Sequence, residues 1–139
     1  MLSLSMITLG VADVAAATAF YEKFGLVKSP ASQEGVSFFQ LGQGALGLFG
    51  REAIAEDANA GAVWSGVGGV TLAYNLPGEA EVDRVMSHAG TIGARILKPA
   101  QKAFWGGYHG FFADLDGHVW EIAYNPFMPV DEAGVVTLP

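Results

Sequence analysis

The chain has 139 residues, 51% hydrophobic and 15% charged, which suits one domain with a buried core and is too apolar for disorder. With 14 acidic and 7 basic residues the net charge is -7, which disfavours nucleic acid and anionic membranes as partners, since both are recognised through positive charge. The sequence has no cysteine, which excludes disulfides, thiolate metal sites and a cysteine nucleophile, and agrees with a reducing cytosol.

The opening MLSLSMITLG lacks the basic start and long apolar core of an export signal, so a cytoplasmic location is expected. A strand is predicted over residues 4–11. Asp13 is suited to cap a helix over 14–24, because its carboxylate accepts from the orphan N–H groups of a first turn. Ala16, Ala19, Phe20 and Phe24 fall at helical spacing and are the expected buried stripe, with Gly25 as the stop. A short strand opens at 26–28, and two more, 36–41 and 45–49, flank a turn at 42–44. A charged helical excursion follows at 51–57. Residues 58–78 carry no charge over a length that would span a bilayer, but five glycines, Asn59, Ser65, Asn75 and Pro77 interrupt them. They read as a glycine-rich linker leading into a buried strand.

The pattern then restarts. A strand at 69–76 precedes a helix at 79–89, with Val82, Val85 and Met86 inward and Gly90 as its stop. A strand at 92–97 leads to a hairpin, 108–113 and 119–124, around Asp114-Leu115-Asp116-Gly117-His118. Ile7-Thr8-Leu9 recurs as Val70-Thr71-Leu72, 63 residues later, and Gly25 as Gly90, 65 later. Each half reads strand, helix, three strands, so a duplication is expected. In the last strand, alternation puts Trp120, Ile122 and Tyr124 on one face and Val119, Glu121, Ala123 and Asn125 on the other. Glu121 therefore looks either into water or into a cavity that uses it.

These residues carry a resemblance. ITLGVADVAAATAFYEKFGL resembles the opening strand and helix of the vicinal oxygen chelate superfamily, which includes glyoxalase I, bleomycin-resistance proteins, fosfomycin-resistance enzymes and extradiol dioxygenases. GFFADLDGHVWEIAYNP resembles its closing hairpin, usually written Asp-Pro-Asp-Gly, with Leu115 here in place of proline. The resemblance spans about residues 6–125 and is more specific for fold than for chemistry. It implies one α+β domain of two βαβββ modules, about 1–57 and 68–127 with a tail at 128–139, whose mixed sheets curl into an open cup. It also implies a homodimer. Members that use a divalent metal hold it at four places, which fall here on Met6, Gly47, Gly69 and Glu121. Only Glu121 is a usual ligand; a thioether suits hard divalent ions poorly, and a catalytic metal needs about three protein ligands. No cofactor is therefore expected, the alternative being one divalent metal ion at Glu121.

Glu121 is the candidate catalytic residue, as a general base or hydrogen-bond donor inside the cup. The competing reading leaves it in solvent, or pairs it with Lys98 or Arg95. Trp105, Tyr108 and Phe112 are the candidate ligand-binding aromatics, joined by Thr71 and Met6; packing is an equal use for Trp105. His88 is placed to face a helix C-terminus and His118 to be solvated. Either Tyr108 or His109 faces the cup, and His109 is read as a surface residue. The function expected is binding of a small organic molecule without the usual metal site. The alternatives are a lyase, isomerase or dioxygenase-type enzyme using Glu121 with an atypical metal, and a structural module whose own side chains fill the cup.

Overall fold

The computed structural model describes residues 4–58 and 70–138, so the sequence-expected strand start and ligand position at Gly69 lie outside the described residues. The chain divides into two compact units, Met1–Gly66 and Val67–Pro139.

The first unit runs β1 (Met6–Val11), α1 (Val14–Glu22), β2 (Val36–Leu41), β3 (Gly44–Gly50) and α2 (Arg51–Asp57). Asp13 caps α1, its Oδ1 accepting from the Ala16 N–H at 2.9 Å. The buried side of α1 is Ala17, Thr18, Phe20 and Tyr21, while Ala16 and Ala19 are exposed. The stripe is rotated from the expected one because Tyr21 buries far more apolar area than Ala19. Thr18 can turn inward because its hydroxyl reaches Val14 O at 2.6 Å and Ser37 Oγ at 2.7 Å. The sheet has the order β1-β3-β2, with β1 parallel and β2 antiparallel to β3. The strand expected at 26–28 is a single bridge between Lys28 and Phe39. Leu9, Phe39, Leu46 and Leu48 share the buried face of this sheet.

The second unit runs β4 (Thr71–Asn75), α3 (Glu79–Thr91), β5 (Arg95–Lys102), β6 (Tyr108–Ala113) and β7 (Val119–Tyr124). Its sheet order is β4-β7-β6-β5, with β4 parallel to β7 and the other pairs antiparallel. α3 buries Val82, Val85, Met86 and Ala89 and packs on β5, β6 and β7. Gly90 does not end this helix; the backbone leaves after Thr91 and takes positive φ (106°) at Gly93.

Each unit thus joins its first strand in parallel to its last, as a βαβββ module does. The N-caps Asp13 and Gly78 are 65 residues apart. The same offset carries Thr8, opposite Gly47, onto Ala73, opposite Glu121. The repeat therefore runs at 65 residues, and the 63-residue match of Ile7-Thr8-Leu9 to Val70-Thr71-Leu72 is out of structural register. Met6 corresponds to Thr71 rather than to Gly69. No helix among the described residues is long and apolar enough to cross a membrane.

Candidate functional site

The second sheet has two unlike faces. Leu72, Phe112 and Ile122 are buried on the face that α3 covers. The opposite face is set by register. Glu121 stands between Ala73 on β4 and Phe111 on β6, and Ala123 stands opposite His109. Thr71, opposite Val119, lies on this face at the start of β4. The alternation expected for β7 is therefore the one observed.

On this face His109 Nδ1 lies 2.7 Å from Glu121 Oε1. The side chains are 10% and 25% exposed, so the contact is shielded from water without being sealed. An ionised carboxylate can only accept, so a neutral imidazole bonded to one through Nδ1 carries its proton there and its lone pair on Nε2. His109 is not the surface residue expected; it is 8% exposed. Its ring meets Trp105 edge-on at 5.3 Å and Phe111 at 5.1 Å. Glu121 takes this histidine as its partner rather than Lys98 or Arg95.

Trp105 reaches the imidazole because the chain before β6 folds tightly. A Cβ at Gly107 would lie 1.8 Å from the Trp105 ring and 2.5 Å from Tyr124 O, so only glycine lets the indole lie back over the backbone there. Phe127 closes over Gly106, 3.2 Å from where its Cβ would be.

The other sequence-predicted aromatics are elsewhere. Tyr108 and Phe112 occupy the face opposite to Glu121. Phe112 is 2% exposed and stacks on Trp120, with ring centroids 6.4 Å apart. The Tyr108 hydroxyl donates to Asp83 on α3 at 2.6 Å. That hydrogen bond pushes the Tyr108 phenol above its ordinary pKa, helped by desolvation and by the charges of Asp83 and Glu79. Both rings support the helix, and alternation separates them from the site. In the first unit Met6 is 43% exposed on β1. Gly47, one of the four places the resemblance gives for a metal, is crowded: a Cβ there would meet Thr8 Oγ1 at 3.0 Å and Phe38 Cε1 at 3.4 Å. His88 stands exposed in the last turn of α3, and the His118 N–H donates to Asp114 Oδ1 at 2.9 Å within the hairpin turn.

The residues around Glu121 do not fit a divalent metal. His109 and Glu121 are two donors already bonded to each other, and their neighbours Ala73, Phe111 and Ala123 offer none. No group of three or more His, Asp or Glu able to hold a metal ion occurs among the described residues.

The family model of the Glyoxalase/Bleomycin resistance protein/Dioxygenase superfamily matches residues 3–122. The chain belongs to this superfamily. Among solved structures, a glyoxalase-related enzyme from Fulvimarina pelagi is 35% identical, with 99% of each chain covered and a TM-score of 0.90. A family enzyme from Burkholderia phytofirmans PsJN is 20% identical at a TM-score of 0.77, covering 88% of this chain and 98% of that one. A lactoylglutathione lyase from Agrobacterium tumefaciens is 23% identical at 0.67, covering 88% and 93%. At those two identities the likeness is one of fold. No curated protein matches the chain.

Proposed function

We propose that this superfamily member binds a small organic molecule on the His109–Glu121 face and exchanges a proton with it, without a metal, as a lyase- or isomerase-type site. The observation that carries the reading is the 2.7 Å contact between His109 Nδ1 and Glu121 Oε1 on the sheet face that α3 leaves uncovered. A carboxylate that accepts from Nδ1–H fixes the tautomer, orients the ring and stabilises the imidazolium that forms when Nε2 takes a proton. His109 is then the general base and Glu121 the group that positions it. Sequence reasoning had assigned proton transfer to Glu121 itself. Trp105 and Phe111 wall the imidazole and supply apolar surface to a bound molecule, and Thr71 offers a hydroxyl on the same face. A homodimer belongs to this reading through the family, with exposed Phe104, Leu97 and Phe127 as apolar surface that a second copy would cover.

The test is solvent deuterium incorporation into enolisable ketones and 2-oxo acids, followed by NMR with wild type, His109→Gln and Glu121→Gln. General acid–base groups contribute about 10²- to 10⁴-fold, so His109→Gln should lose most of the exchange and Glu121→Gln a large part of it. Exchange that survives both substitutions would refute the reading.

A further inference from the structure

β5 is irregular in a way that reshapes the site. Its register against β6 slips between Ile96 and Lys98, and again between Lys98 and Gln101. Regular alternation from Arg95, opposite Ala113, would send Lys98 to the α3 face. The first slip instead sets Lys98 opposite Phe111, and the second sets Gln101 opposite His109. Phe111 is in turn opposite Glu121. Arg95, Lys98 and Gln101 therefore all stand on the face that carries the His109–Glu121 pair. Bulges re-aim side chains and recur beside active sites. Lys102, opposite Tyr108, is back on the α3 side, where it lies 5.8 Å over the Tyr108 ring and pairs with Glu79.

The two cations on this face, Arg95 in regular register and the re-aimed Lys98, differ from Lys102 in having no ion-pair partner among the described residues. Glu121, the acid on their face, is held by His109. Adjacent strands are about 4.8 Å apart, so Lys98 lies two strands and about 10 Å from Glu121 at the backbone, with the Phe111 ring between them. The face thus carries a positive edge, an apolar floor and a proton acceptor in sequence.

We propose that Arg95 and Lys98 form an anion subsite and that the molecule bound on this face is a small organic acid. Its carboxylate sits at Arg95 and Lys98, its apolar body crosses Phe111, and its exchangeable proton lies at the His109 ring. The proposal rests on the reading of His109 and Glu121 as a proton-exchanging pair, and it adds the charge of the ligand. No covalent change is involved in the subsite itself.

The experiment uses the intact protein with pyruvate, phenylpyruvate and 4-hydroxybenzoate, each beside its methyl ester. Binding of all three is read by calorimetry, and deuterium exchange at the carbon next to the ketone of the two 2-oxo acids by NMR, in wild type, Lys98→Met, Arg95→Met, Lys98→Arg and His109→Gln. Hydrogen bonds to charged groups are strong enough that an acid should bind roughly tenfold or more tightly than its ester. Lys98→Met should erase that difference, raised salt should shrink it, and Lys98→Arg should keep it. Acids and esters binding alike, or acid binding untouched in both methionine variants, would overturn the subsite. If exchange still required His109 in that case, the proton-transfer reading would survive alone. Neither acids nor esters binding would overturn both.

Discussion

His109 and Glu121 are diagonal neighbours across the β6–β7 hairpin, not directly opposed ones. Glu121 faces Phe111 and His109 faces Ala123, yet Nδ1 and Oε1 close to 2.7 Å. Diagonal positions are about 7–8 Å apart at the backbone, within reach of two long side chains leaning toward each other. The alanine methyl at 123 leaves that path open. Side-chain size at 123 and the aromatic contacts from Trp105 and Phe111 together hold the imidazole where the carboxylate meets it.

Gly107→Ala tests the indole that walls the histidine. The added methyl has nowhere to go, with the Trp105 ring 1.8 Å and Tyr124 O 2.5 Å from its position. Overpacking of this kind costs about 1–3 kcal/mol, and Trp105 must swing off the imidazole. A lowered urea midpoint together with altered tryptophan emission is expected. Emission and stability both matching wild type would show that the indole does not rest on this glycine.

Tyr108 gives a prediction at alkaline pH. Its phenol donates to Asp83 and is raised above the ordinary value, so the folded state holds this proton more tightly than the unfolded chain does. The stability it contributes is complete below the unfolded pKa near 10 and is lost as pH rises through the higher folded value. Absorbance titration at 295 nm should show one of the 4 tyrosines ionising late. Asp83→Asn should return that tyrosine to the ordinary range. An unchanged titration would break the link to Asp83.

The buried hydroxyls of the first unit make an asymmetric pair. Thr18 donates to Val14 O, which leaves Ser37 as the donor to Thr18 Oγ1. Thr18→Val removes the acceptor and strands the Ser37 hydroxyl, at a cost of about 1–3 kcal/mol. Ser37→Ala leaves the Thr18 bond to Val14 intact and should cost less. Denaturant melts of the two variants check the order, and a larger loss in Ser37→Ala would reverse the donor assignment.

Much of the architecture was legible because local chemistry and the global fold agree. The bounds of β2, β6, β7 and α2 fell where alternation, turn residues and charge placed them, and Asp13 caps as its side chain requires. Glu121 stands out in the sequence because a lone acid in an alternating apolar strand is conspicuous. His109 was missed although a signal existed. Pairing Ala113 with Val119 across the turn forces odd-numbered residues of β6 onto the face of odd-numbered residues of β7, which joins His109 to Glu121 and removes Tyr108 and Phe112. Hairpin parity was the missing step. The turn to Lys98 was not legible, because a bulge depends on tertiary fit and breaks the period that sequence reading relies on. The crowding of Gly47 by Thr8 and Phe38 was hidden for the same reason: a glycine in sequence says nothing about which neighbours fill its place.

The central claim, that Glu121 fixes the His109 tautomer for proton exchange, is tested most directly by long-range ¹H–¹⁵N correlation of the imidazole rings. Among the 3 histidines, the neutral form of His109 should carry its proton on Nδ1, and Glu121→Gln should convert it to a tautomer mixture. A neutral His109 carrying its proton on Nε2, or one indifferent to the loss of the carboxylate, would contradict the account.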